Sequence, residues 1–232
     1  MPPARFDFAH LTPEAGEDLV ASGGDLLPST LLAAYAAGYF PMGLGGGGEG
    51  PLGWWSPDPR GVLLPAAVHV SRSLRRSLRR FEVRVDTAFA DVVDGCADPS
   101  REGAWITADV AAAYRRLHAL GWAHSVEVFE DGELAGGLYG ISIGGLFAAE
   151  SKFHRTTDAS KAAVVALAGV MTSDGVEGRL VDVQWRTEHL ATLGVQAVPR
   201  GRYLRLLGAA LALPVPPSFS ARPEGCTSYD EG

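Results

Sequence analysis

The chain holds a serine between glycines, Gly140-Ile-Ser-Ile-Gly144, with Asp182 and His189 further along, the order of a strand-borne serine nucleophile, its acid and its base. Such a serine needs a strand that turns sharply into a helix. Here Gly144-Gly145 leads into Leu-Phe-Ala-Ala-Glu150, another apparent strand, which argues against a hydrolase. A second group of polar residues sits in Arg179-Leu-Val-Asp-Val-Gln184, where strand periodicity puts Asp182 and Gln184 on one face, a carboxylate beside an amide. Glu150 closes the strand before it. Cys96 and Cys226 stand far apart with no Cys or His at metal-ligand spacing, so two reduced thiols are expected, with no zinc site and no disulfide framework. The six histidines show no pattern of ligands.

One cluster of opposite charge stands out. Arg72, Arg75, Arg76, Arg79 and Arg80 recur at helical spacing, followed by Arg84, in a chain whose net charge is -7. The acidic balance excludes indiscriminate binding of nucleic acid, because phosphate affinity needs positive potential, and leaves this stripe as a local RNA contact or a solvated helix face.

The elements that must position these groups read as α/β, more closely α+β, with a largely antiparallel sheet. Residues 125–130, 134–143 and 146–150, joined by Asp131-Gly132 and Gly144-Gly145, form an antiparallel meander. Helices are expected at 71–80, 107–120 (capped by Thr107), 158–171 and 186–193, with further strands at 81–86 and 179–184. Nearer the start, Pro28 to Gly38 reads as a helix capped by Asp25 or Ser29, and the run 43–50 as a flexible loop, since no Lys-Ser or Lys-Thr follows its glycines to hold a phosphate. This divides the chain into a small domain at 1–64, a larger one at 65–213, and a Pro-rich tail at 214–232 with too few apolar residues to repay its ordering.

The beginning of the chain has no basic region followed by an apolar run, and the longest apolar stretch, 162–171, is about half of the ~20 residues that span a bilayer. A cytoplasmic protein with no membrane contact is expected.

Seven segments occur in one order: Gly23-Gly-Asp25, Gly38-Tyr-Phe-Pro41, Trp54-Trp-Ser-Pro-Asp-Pro-Arg60, Glu102-Gly-Ala-Trp-Ile-Thr107, Glu150-Ser151, Ala159-Ser-Lys161 and Val181-Asp-Val-Gln184. Together they resemble the leucyl/phenylalanyl-tRNA–protein transferase family, from about residue 22 to about residue 205. The resemblance implies a small N-terminal domain joined to a GNAT-type acyltransferase domain that works without acetyl-CoA. It implies transfer of Leu or Phe, with Met as a further candidate, from aminoacyl-tRNA to the N-terminal Arg or Lys of acceptor proteins, marking them for degradation. No cofactor, metal or covalent intermediate is implied, and a monomer is expected.

Residue roles follow from the same resemblance. Asp182 and Gln184 are the pair at the reaction centre: Asp182 either orients the amide or accepts from the incoming ammonium, and Gln184 binds the reacting amine or the developing oxyanion. Glu150 holds the α-ammonium of the transferred residue. Leu138, Phe147, Val164, Val181 and Val183 line an apolar pocket for its side chain, while Tyr35, Met42, Trp105, Tyr114 and Thr187 surround the terminal adenosine and the ester, where aromatic faces suit base stacking. The arginine stripe meets the acceptor stem. Two residues depart from the family pattern: Met42 replaces an aromatic, and Lys152 stands where an apolar residue is expected, so that it either snorkels outward or changes side-chain preference.

Three other readings compete. A serine hydrolase is one. A CoA-dependent acetyltransferase would need a glycine-rich turn before a helix, of which Arg155-Thr-Thr-Asp-Ala-Ser160 is a poor version, and a non-catalytic RNA-binding module is the last.

Overall fold

The computed structural model describes residues 5–14, 16–101 and 103–220. Glu102 of the motif above and Cys226 lie outside the described residues.

The first sheet is small. Strands β1 (Leu19–Ser22), β2 (Phe40–Gly43) and β3 (Leu52–Trp55) pair antiparallel in the order β1-β3-β2, with helix α1 (Pro28–Ala36) between β1 and β2. Pro28 opens α1, where its missing N–H costs nothing. Neither expected cap is used on the helix: Asp25 accepts instead from the Leu27 amide at 3.1 Å. The run 43–50 is more ordered than a flexible loop. It turns back on itself through Leu44 N to Pro51 O (3.0 Å) and Gly45 N to Glu49 O (2.8 Å), and a Cβ on Gly48 would stand 1.9 Å from the carbonyl oxygen of Trp105. Glycine is there for close backbone approach.

The second sheet has seven strands in the order β10-β4-β9-β8-β7-β6-β5, built from β4 (Arg60–Leu63), β5 (Glu82–Val85), β6 (Ala123–Glu130), β7 (Glu133–Ile143), β8 (Leu146–His154), β9 (Leu180–Gln184) and β10 (Gln196–Val198). All pairs are antiparallel except β8 with β9. The expected antiparallel meander is β6-β7-β8. Strand β4 precedes residue 64 yet belongs to this sheet, so a division of the chain by sheets falls between β3 and β4, earlier than 64. Gly144, at φ 56, turns β7 back into β8, and a Cβ there would meet Leu211 O at 2.4 Å. Ser142 is buried near the end of β7, and the turn after it leads into a strand where a nucleophile elbow needs a helix, which removes the hydrolase reading.

Helices cover both faces. On one, α5 (Ala159–Thr172) lays Val164, Leu167 and Met171 against Leu138, Phe147 and Val181. On the other, α3 (Phe89–Ala97) and α4 (Ala108–Ala119) join α1 in a core that includes Tyr35, Tyr114, Tyr139 and Phe153. A smaller cluster forms where α7 (Arg200–Leu211) sets Tyr203 and Leu207 on Val62 and Leu180. The short helices α2 (Arg72–Ser77) and α6 (Glu188–Ala191), capped by Ser71 and Thr187, add Leu74 and Leu190 to the cluster under α5.

The first part of the tail is packed rather than disordered. Helix α8 (Pro217–Ser220) buries Phe219, whose ring stacks on His124 at 4.6 Å and Phe147 at 5.3 Å between centroids. One aromatic anchor suffices where composition averaged over the whole tail looks polar. Residues 221–232 lie outside the described residues. Among the described residues, no helix is long and apolar enough to cross a membrane.

Candidate active site

Asp182 sits in the middle of the large sheet, on β9 between β4 and β8, and is 1% exposed. A carboxylate so placed must have its charge and lone pairs met. Arg60 meets it with a fork, Nε to Oδ1 at 2.8 Å and Nη2 to Oδ2 at 2.7 Å; the Tyr203 hydroxyl donates to Oδ2 at 2.9 Å and the Gln184 amide to Oδ1 at 3.0 Å. Four donors fill the carboxylate. Arg60 is itself fully buried, its guanidinium 4.9 Å from the Phe40 ring centroid and 4.5 Å from that of Tyr203. Burial, the largest single influence, pulls the guanidinium's pKa down, but the charge and hydrogen bond of Asp182 together with Tyr203 and Glu150 outweigh it, and the net displacement is upward. Tyr203 is pushed up by burial, keeping it a neutral donor.

Gln184 ends β9 in the left-handed region, φ 58, just after a bulge at Val183, since the consecutive Gly61 and Val62 of β4 face Gln184 and Asp182. That twist breaks the strand period. Asp182 and Gln184 consequently do not share a face: Asp182 turns to Arg60 and Tyr203, while Gln184 helps line a cavity of about 80 Å³ with Leu138, Glu150, Lys152, Val164, Val183 and Leu190. With its nitrogen turned toward the backbone, the Gln184 amide donates to Ala149 O at 2.9 Å and Val183 O at 3.1 Å.

Glu150 stands beside a bulge between β7 and β8, 8% exposed. Its Oε2 accepts from the Tyr114 hydroxyl at 2.7 Å, and the Tyr114 hydroxyl is hydrogen-bonded in turn to that of Tyr35. Oε1 has no partner among the described residues. Burial pushes the Glu150 carboxyl up to about 7; the two tyrosine hydroxyls and Arg60 act against this, and Asp182 adds to it. It therefore exchanges its proton near neutral pH.

The remaining sequence-derived positions divide. Leu138, Val164 and Val183 do line the cavity, whereas Phe147 and Val181, both at 0% exposure, are absent from its wall and belong to the core around α5. Tyr35 and Tyr114 are 2% and 0% exposed, Tyr114 bound to Glu150 and Tyr35 to Tyr114, so neither presents a face for a base to stack on. Trp105 is half-buried beside the glycine turn. Met42 is half-buried on β2, its carbonyl accepting from Trp55 Nε1 at 3.0 Å, and Thr187 is exposed, its hydroxyl capping α6 at 3.2 Å from Leu190 N.

Lys152 is half-buried, and its pKa is lowered by burial and then by Arg101. The five arginines of the stripe are all exposed on α2 and the turn after it. Arg80 approaches Glu130 at 3.3 Å, while the others make no ion pair among the described residues. Ser77 Oγ donates to Asp158 Oδ2 at 2.8 Å, tying α2 to the start of α5.

Sequence reasoning missed Arg60 and Tyr203. Arg60 had a signal, since it is a lone cation at the end of Trp-Trp-Ser-Pro-Asp-Pro-Arg and the start of an apolar run. Tyr203 had none, lying on a helix that no sequence pattern marked.

An α/β fold that gathers a filled carboxylate, a half-filled one and an amide beside a small apolar cavity has the parts to hold an amine and an acyl group together. Two family models match this chain: residues 62–208 match "Leucyl/phenylalanyl-tRNA protein transferase" and residues 24–58 its N-terminal domain. A leucyl/phenylalanyl-tRNA–protein transferase from Aromatoleum aromaticum is 51% identical over 194 residues, covering 82% of this chain and 80% of that protein. One from Anaeromyxobacter dehalogenans is 50% identical over 203 residues, 85% of each. A solved GCN5-related N-acetyltransferase from Kribbella flavida aligns over 74% of this chain and 61% of that chain with TM-score 0.39 and 11% identity, a likeness too slight to build on. The chain belongs to the leucyl/phenylalanyl-tRNA–protein transferase family and is an aminoacyltransferase.

Proposed function

We propose that the protein moves Leu or Phe, and also Met, from aminoacyl-tRNA to the N-terminal Arg or Lys of acceptor proteins in the cytoplasm, marking them for degradation, and that it does so as a monomer. The acceptor amine attacks the ester carbonyl, the carbon–oxygen bond to the terminal ribose breaks, and the ribose oxygen leaves with the proton the amine gives up. The ester is already activated, and an α-amine with a pKa near ~8 is partly neutral at cytoplasmic pH. Orientation then contributes on the order of 7–11 kcal/mol.

The observation that carries the reading is the free Oε1 of Glu150 at a cavity it shares with Gln184. An ionised Glu150 holds the α-ammonium of the aminoacyl group, the apolar wall takes its side chain, and Gln184 meets the reacting amine or the oxyanion. Asp182, with four donors already, has no lone pair to spare for a proton and serves to fix the Gln184 peptide. Trp105 and Met42 border the adenosine, Thr187 holds the loop beside it, and the five exposed arginines contact the acceptor stem by charge and shape. Labelled Leu-tRNA incubated with a peptide beginning with Arg should put label on the peptide. No transfer while the tRNA stays charged overturns the reading.

A further inference from the structure

The side-chain cavity has one wall out of character. Leu138, Val164, Val183 and Leu190 are apolar, yet besides Glu150 and Gln184, which the reaction uses, Lys152 also lines the cavity, paired across the strands with Leu138. Its ammonium makes no hydrogen bond or ion pair with any described residue, and the titratable groups that act on it are a cation and a thiol, Arg101 and Cys96, with no carboxylate among them; Lys152 acts in turn on His189. A half-buried ammonium in such a setting lacks a negative partner. The face of an aromatic ring is one that an apolar cavity can accept, since its quadrupole attracts a cation and its edges pack on aliphatic groups.

Resting on the transferase reading above, we propose that Lys152 sets the choice between the two residues the family transfers, favouring Phe over Leu by placing its ammonium over the phenylalanyl ring. Size is consistent with a moving wall. The cavity of about 80 Å³ is smaller than the ~150 Å³ cavity lined by aliphatic and aromatic groups that accepts benzene, so a ring enters only by displacing a wall residue. Of the wall, the lysine stem is the part with most rotamer freedom, and its displacement leaves the charge at the ring face. A leucyl group fills the space without engaging the charge.

The test uses one tRNA body charged in turn with Leu, with Phe, and with Phe carrying one, two or three ring fluorines, which weaken the quadrupole while leaving the side chain nearly the same size. For the wild-type chain, kcat/KM should be higher for Phe than for Leu and should fall stepwise with fluorination. In Lys152→Met the Phe-to-Leu ratio should drop by about 2- to 30-fold and the fluorinated series should become flat. The fluorination series within the wild-type chain does not depend on the variant's folding. A ratio that Lys152→Met leaves unchanged or raises, or a flat series in the wild type, overturns the proposal while transfer itself stands. Failure of the wild type to transfer either residue overturns both this inference and the reading beneath it.

Discussion

The two buried carboxylates of the site differ in one respect that separates their work. Asp182 receives four donors, with an arginine as counter-ion; Glu150 receives a tyrosine hydroxyl on one oxygen and nothing on the other. A filled carboxylate is structural, because every change of its protonation or direction costs hydrogen bonds already made. A half-filled one is poised for a ligand, and its desolvation, which lifts it to about 7, is relieved when a cation arrives. The pair shows that burial alone does not rank acids by function. The count of unoccupied lone pairs does.

Removing the counter-ion of the filled member should have the largest effect. Arg60→Ala strands the Asp182 charge at full burial and should cost about 3–5 kcal/mol of stability, read as a lowered denaturant midpoint. If Arg60→Ala unfolds at the wild-type midpoint, Asp182 is not held as described.

Glu150→Gln should behave in the opposite way, with kcat/KM for transfer falling on the order of 10²-fold and stability preserved. The pH dependence has a definite sign. The folded carboxyl titrates near 7 and the unfolded one near the ordinary 4.5, so the folded state holds the extra proton between them and stability contributed by this group declines as pH rises through that window. Glu150→Gln should flatten that decline in unfolding measured from pH 5 to 8, while the transfer rate of the wild type should rise through about pH 7 as Glu150 ionises. A decline that survives in Glu150→Gln would assign it to another group.

How far this contrast is readable from sequence differs for its two halves. The meander β6-β7-β8 and the helices α4 and α5 are legible, because alternation and amphipathic spacing are local properties. The strands β1 to β4 are not: each has four residues, Gly or Pro interrupts three of them, and what holds them is pairing with distant partners, whereas the equally short β5 keeps the alternation Glu-Val-Arg-Val. Asp182, Gln184 and Glu150 are found through resemblance, yet the strand period places Gln184 on the face of Asp182. The positive φ at Gln184 goes with a bulge at Val183 that exists only through the register with β4, a strand far away in the chain. Likewise, resemblance puts Tyr35 and Tyr114 near the substrate but as stacking surfaces, since a side chain's type does not tell which end of it is buried. Arg60 meets Asp182 across 122 positions of sequence, a distance no local pattern spans.

The arginine stripe, exposed on α2 and the turn after it, provides a control of intermediate size. Reversal of Arg75, Arg76 and Arg79 to Glu should raise KM for aminoacyl-tRNA by about tenfold or more, reduce the salt slope by about one for each phosphate no longer neutralised, and leave kcat nearly unchanged. An effect on kcat with no salt dependence would place the stripe's influence in the fold instead of on RNA.

The smallest change probes the link between the N-terminal helix and the half-filled carboxylate. Tyr35 on α1 reaches Glu150 through Tyr114 on α4, and both hydroxyls lower the carboxyl's pKa against its burial. Tyr35→Phe removes one of them without opening a large space. The loss of one net hydrogen bond is about 1 kcal/mol, which corresponds to roughly a fivefold change in rate if it is felt at the site. Its direction is the sharper readout: Glu150 should hold its proton to higher pH, moving the rise in transfer rate upward from about 7. Were the midpoint to stay while the rate fell, Tyr35 would act on packing alone, and the charge state of Glu150 would be set without help from α1.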